Sequence, residues 1–184
     1  VQRGTLNFTG TGTQPLSAVD PNKSFVLVSC STVTGDLTYN YNDYFRAQLL
    51  SATSLEIGMG TAPDPRDCDW QVVEYQNTSV QRGTGTLGTT VASSGPITIS
   101  SVDTTKSFVH VTGRVTDAAL ATGPNFARAR LTSATTIEID RGATGTTLDY
   151  AWEVVSFTDG TTVQSGNRTF GTADTSLTAT ISAD

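Results

Sequence analysis

Apolar and polar residues alternate along this chain in short runs broken by turn signals, and no stretch settles into a sustained helical period. In the first part of the chain the pattern predicts six strands, over roughly 2–9, 14–19, 24–33, 44–50, 54–59 and 70–76. Phe25-Val26-Leu27-Val28 is an apolar run suited to a strand buried between two sheets. Gly10-Thr11-Gly12, Asp20-Pro21-Asn22 and Asp64-Pro65-Arg66-Asp67 supply turns between runs. Only 118–121 could form a helical turn. Strands at this spacing mean a small antiparallel sandwich or barrel.

The pattern then repeats. Val1-Gln2-Arg3-Gly4-Thr5 returns as Val80-Gln81-Arg82-Gly83-Thr84, and Lys23-Ser24-Phe25-Val26 as Lys106-Ser107-Phe108-Val109. Ser51-Ala52-Thr53-Ser54-Leu55-Glu56-Ile57 matches Ser133-Ala134-Thr135-Thr136-Ile137-Glu138-Ile139, and the Trp70 segment matches that of Trp152. The offsets are 79, 83, 82 and 82 residues, so one unit spans about eighty. The expected fold is all-β: two tandem small antiparallel β-sandwich repeats of about six strands, at 1–79 and 80–162, plus a partial third at 163–184. That last segment opens with Val163-Gln164-Ser165-Gly166 and copies only the first two strands. Three readings stay open for it: an excerpt of a longer array, a strand pair donated to a neighbouring domain or subunit, or a folded-back tail. A unit this small gains from sharing buried surface with its neighbour.

Composition narrows the classes of function. Thr (34), Ser (17) and Gly (17) exceed a third of the 184 residues, which favours strands and turns. The net charge of −6 argues against nucleic acid as a partner, because phosphates require clustered Lys and Arg. No apolar run approaches the length of a membrane span, and no signal-peptide pattern opens the chain, so no membrane insertion is expected.

Little in the chain points to catalysis. The single histidine, His110, aligns with Leu27 in the duplicate strand and reads as a strand residue at a partly exposed site. Asp64, Asp67 and Asp69 could offer carboxylate oxygens to a hard cation, but their spacing reads as a solvated turn. No catalytic site, metal or cofactor is expected. Cys30 and Cys68 have Gly113 and Tyr150 as counterparts, so the fold does not require them; they are either a disulfide or buried thiols. Arg46 and Arg128 are matched, as are Glu56 and Glu138. Each pair lies on strands that form one hairpin, which predicts a repeated cross-strand ion pair, the alternative being arginines turned toward a subunit interface or a ligand site; Arg3 and Arg82 invite the same two readings. Trp70 and Trp152 are matched and read as core. Tyr39, Tyr41 and Tyr44, interleaved with Asn40, Asn42 and Asp43, form an exposed-looking loop that is the candidate for ligand or partner contact.

The unit opens with a Val-Gln-X-Gly strand and closes with a Trp-bearing strand about seventy residues later. That layout resembles the H-type lectin family, and is similar to the tandem β-modules of phage tail-fibre, head-fibre and capsid-decoration proteins. The resemblance implies six-stranded sandwiches, a homotrimer with an interface rich in opening-strand contacts, and glycan binding between subunits. The resulting expectation is a non-enzymatic structural or assembly module of a virion surface or extracellular fibre, with its own copies or fibre or capsid neighbours as partners. The alternative is a glycan-binding adhesin working through the tyrosine loop.

Overall fold

The computed structural model describes residues 1–32, 44–60, 65–116 and 126–181. The first six strands are β1 (Gln2–Phe8), β2 (Thr11–Pro15), β3 (Ser24–Thr32), β4 (Phe45–Ser51), β5 (Ser54–Met59) and β6 (Arg66–Glu74). Six more follow: β7 (Thr78–Leu87), β8 (Ile97–Thr98), β9 (Ser107–Val115), β10 (Arg128–Ser133), β11 (Thr136–Asp140) and β12 (Leu148–Phe157). They make four antiparallel three-stranded sheets in the orders β1-β6-β3, β2-β5-β4, β7-β12-β9 and β10-β11-β8. The protein is all-β. Two strands depart from the pattern-based expectation. Pro15 ends β2, and beyond it Leu16 and Val19 bond to the carbonyls of Thr53 and Ala52 at the β4–β5 turn instead of extending the ladder. At the other end of the repeat, β6 begins at Arg66, inside the expected turn.

Each consecutive pair of sheets encloses one core. Leu6, Phe8, Val26, Trp70 and Val72 of the first sheet pack on Ala47, Leu49, Leu55, Ile57 and Met59 of the second. In the second set, Val115, Leu148, Trp152 and Val154 join Ile137 and Ile139 in the same way. Burial of these aliphatic and indole groups drives the two sheets together.

The repeated motifs are packing and hydrogen-bonding devices. Gly4 lies opposite Trp70, and a Cβ there would sit 2.8 Å from the indole; at Gly83, opposite Trp152, it would sit 2.6 Å away. The glycine lets the ring lie flat across the neighbouring strand. The preceding glutamine clamps the segment that crosses between sheets. Gln2 Nε2 donates to the Ser17 carbonyl and Gln2 Oε1 accepts from Ser17 N, both at 2.8 Å; Gln81 does the same with Ser100 at 3.0 and 2.6 Å. In the Lys-Ser-Phe-Val motif the serine is buried and donates back to an aspartate carbonyl, Ser24 to Asp20 at 2.8 Å and Ser107 to Asp103 at 2.7 Å.

Residues 163–181 form no strand. Val163 N bonds to the Thr105 carbonyl, after which the segment is exposed almost throughout. Phe170, at 62%, and Ile181, at 76%, are open to solvent, whereas Phe8, at the place matching Phe170, is 9% exposed.

Candidate functional site

A strand at a sheet edge presents unpaired N–H and C=O groups, and the first repeat has two such strands side by side, β3 and β4. The second repeat covers both. Glu153 Oε2 accepts a 2.8 Å hydrogen bond from Val26 N, and Arg82 Nη2 donates to the Ser24 carbonyl at 2.5 Å. Thr112 Oγ1 serves the neighbouring edge twice, accepting from Ala47 N at 2.9 Å and donating to the Ala47 carbonyl at 3.1 Å. Arg114 completes the row: its Nη1 donates to Thr11 Oγ1 at 3.2 Å and lies over Gly58, where a Cβ would sit 2.6 Å from it.

All four capping side chains stand on one surface, the outer face of the β7-β12-β9 sheet. Arg82 and His110 flank Glu153 in register, so they share its face, and Thr112 and Arg114 continue the row. This contact changes the character of β12. Its counterpart β6 alternates, with Asp69 and Gln71 exposed between buried Cys68, Trp70 and Val72. In β12 the matching Ala151 and Glu153 are buried as well, so the strand is covered on both faces. Burial pushes the Glu153 carboxyl up despite the Val26 N–H bond and the Arg82 charge at 3.4 Å. At one end of the junction, Phe25 and Phe108 meet edge to face with centroids 6.1 Å apart, and Tyr75 OH donates to Asp159 at 2.7 Å.

The residues singled out in the sequence fall in different places. Tyr39 and Tyr41 lie outside the described residues. Tyr44 is not an exposed contact residue: it is 6% exposed, packs in the core cluster of the second repeat, and has its ring 5.1 Å from that of Phe126. Its amphipathic ring is used to seal the junction between repeats.

Arg46 and Glu56 are ion-paired at 2.7 Å, and Gln48 shares the same carboxylate oxygen at 2.8 Å. Burial pushes Glu56 up, but these bonds and the charges of Arg46 and Arg114 outweigh it and hold the carboxyl below its usual value. The second hairpin pairs differently. Arg128 binds Asp140 through two 2.9 Å bonds, while Glu138 takes Arg130 at 2.9 Å and Ser93 Oγ at 2.6 Å. The register is the same, and the residues in it explain the change: Arg128 lies opposite Asp140, whereas Arg46 lies opposite Gly58 and reaches diagonally to Glu56, and Arg130 stands where Gln48 does, opposite the glutamate.

Cys30 and Cys68 are directly opposite on β3 and β6, with Cα atoms 4.1 Å apart, and form a disulfide. Their counterparts Gly113 and Tyr150 are also directly opposite but form no bridge; the Tyr150 ring lies instead over Gly85 on β7. Asp67 and Asp69 lie on β6 and accept from Asn7 Nδ2 at 2.8 Å and Thr5 Oγ1 at 2.7 Å. Among the described residues no group of three or more His, Cys, Asp or Glu side chains is placed to hold a metal ion. His110 is half-buried, and burial pushes its imidazole down. It lines a cavity of about 260 Å³ between the repeats with Val28, Phe45, Val111, Thr112 and Phe126, and no carboxylate or thiol joins the described lining.

Of the capping row the sequence singles out only Arg82, because the members are spaced across three strands. One signal was present: the polar positions Asp69 and Gln71 of the first repeat become Ala151 and Glu153 in the second. No protein-family model, curated protein or solved structure matches the chain.

Proposed function

We propose that this chain is a non-enzymatic structural module of an extracellular fibre or virion surface, whose work is to lock β-sandwich units to one another. The observation that carries this reading is the capping of the β3 and β4 edges by Glu153, Arg82 and Thr112. Such a contact fixes the angle between units and removes the exposed edge that would otherwise pair indiscriminately. The Cys30–Cys68 bridge supports an oxidising location outside the cytosol. Side chains of the second repeat's outer face, which in an enzyme could line a cleft, are spent on holding the first repeat.

A module of this kind assembles. Sedimentation velocity of the full chain over a wide concentration range tests the reading. The weight-average mass rises with concentration toward species of several chains. A single-chain mass up to the millimolar range overturns it.

A further inference from the structure

The molecule has a second edge of the same kind and a second face of the same kind, and nothing among the described residues joins either to a partner strand. The edge belongs to β9 and β10. Their register on β12 and β11 repeats that of β3 on β6 and β4 on β5, so Val109 N, the Ser107 carbonyl and both backbone groups of Ala129 point outward, as their counterparts at Val26, Ser24 and Ala47 do. The apolar residues along the two edges differ in cover. Val26, Ala47 and Leu49 are buried; Val109, Ala129 and Leu131 are only half-buried and border a groove of about 370 Å³.

The free face is the outer side of β1-β6-β3. Arg3 stands there at the position of Arg82, Gln71 at that of Glu153 and Ser29 at that of Thr112, all exposed. Each keeps the chemistry its counterpart uses: a guanidinium for a carbonyl, a side-chain oxygen for an N–H, and a hydroxyl that can donate and accept. Where Arg114 and Asp149 sit in the second repeat, this face has Ser31 and Asp67. The face thus carries a carboxylate where its counterpart carries an ion pair, and the receiving edge carries Arg128, whose side chain is 54% exposed where that of Arg46 is 13%.

We infer that the β9–β10 edge of one copy receives the outer β1-β6-β3 face of a second copy, repeating between chains the contact that joins the two repeats within a chain. This inference rests on the assembly reading above and names its surfaces. The two surfaces differ, so the contact is heterologous and leaves a free edge at one end and a free face at the other; further copies add at both ends, as an open filament or, where the rotation closes, a ring. The chain's own tail is a poorer occupant. Its residues 165–167 lie at the mouth of the groove, but Ser165 stands where an arginine is required, and the segment has no strand to offer. The incoming β1 displaces it.

Complementation between two full-length variants tests this. Ser29→Lys/Gln71→Lys disables the face at exposed positions, and Ala129→Pro disables the edge by removing its outward N–H. Arg128→Glu/Arg130→Glu is a second edge variant on exposed side chains, should the proline disturb β10. Circular dichroism establishes that each is folded. By light scattering, each variant alone loses the concentration-dependent growth of the wild type and remains a single chain. An equimolar mixture of the face variant with the proline variant reaches twice that mass and stops, because one intact face and one intact edge remain. Variants that grow as the wild type does, or a mixture that remains single chains, overturn this interface while leaving assembly through another surface standing. A wild type that is a single chain throughout overturns both.

Discussion

Glu153→Ala destabilises the protein by about 3 kcal/mol, the scale for removing one member of a buried, charge-assisted network. The substitution leaves Val26 N without its acceptor and the part-buried Arg82 without its counter-charge. Glu153→Gln retains a side-chain acceptor and costs about 1 kcal/mol or less at neutral pH. The two variants therefore separate the hydrogen bond from the charge. Burial raises the folded pKa of Glu153, with Arg82 and His110 as its neighbours on the flanking strands. The folded protein then holds this proton more tightly than the unfolded chain does. Its contribution is greatest in acid and falls as pH climbs from the ordinary carboxylate range toward the raised value. Urea denaturation of wild type and Glu153→Gln from about pH 4 to pH 7 should show the wild type losing ground to the glutamine variant as pH rises. A difference that grows in favour of the wild type contradicts this, as does an alanine variant as stable as the wild type.

Removing the disulfide has the other large effect. Cys30 and Cys68 are 38 residues apart, and closing a loop of that size restricts the unfolded chain by about 4 kcal/mol. The loop contains β4 and β5, so the bridge ties two of the three strands of the opposite sheet into the first sandwich. Cys30→Ser/Cys68→Ser should lower the urea midpoint by a corresponding amount, and reductant should lower the wild type to the same level without affecting the variant. The loss is centred on the first repeat, since the matching positions in the second, Gly113 and Tyr150, carry no bridge. Intrinsic fluorescence of Trp70 and Trp152, read in single-tryptophan variants, distinguishes the two. Equal sensitivity of both reporters to reductant contradicts the assignment.

The features legible in the sequence are those whose partners both lie within one repeat and recur at the same offset. The glycine under the tryptophan, the glutamine clamp and the buried serine each need only residues that the duplication carries together, so the motifs recur as motifs. The strand order did not follow from the pattern, because alternation shows which side of a strand is buried and is silent on its neighbour. For the same reason the ion pairs of the two hairpins do not separate in the sequence: the difference between them is two changes, Gly58 to Asp140 opposite the arginine and Gln48 to Arg130 opposite the glutamate. Tyr44 was misplaced because an amphipathic residue beside Asn and Asp reads as surface in one repeat considered alone. Its burial comes from the other repeat. The junction is a relation between two units, and only the departure of Ala151 and Glu153 from Asp69 and Gln71 left a trace of it.

Amide hydrogen exchange at four matched edge positions tests the central claim most directly. Val26 N and Ala47 N are capped by the second repeat, whereas Val109 N and Ala129 N face outward at the uncovered edge. In protein dilute enough to be a single chain, Val26 and Ala47 should exchange at least about tenfold more slowly than Val109 and Ala129 after correction for intrinsic rates. At concentrations where copies associate, the second pair should slow toward the first. Equal exchange at matched positions in the dilute chain would contradict the capping on which the whole account is built.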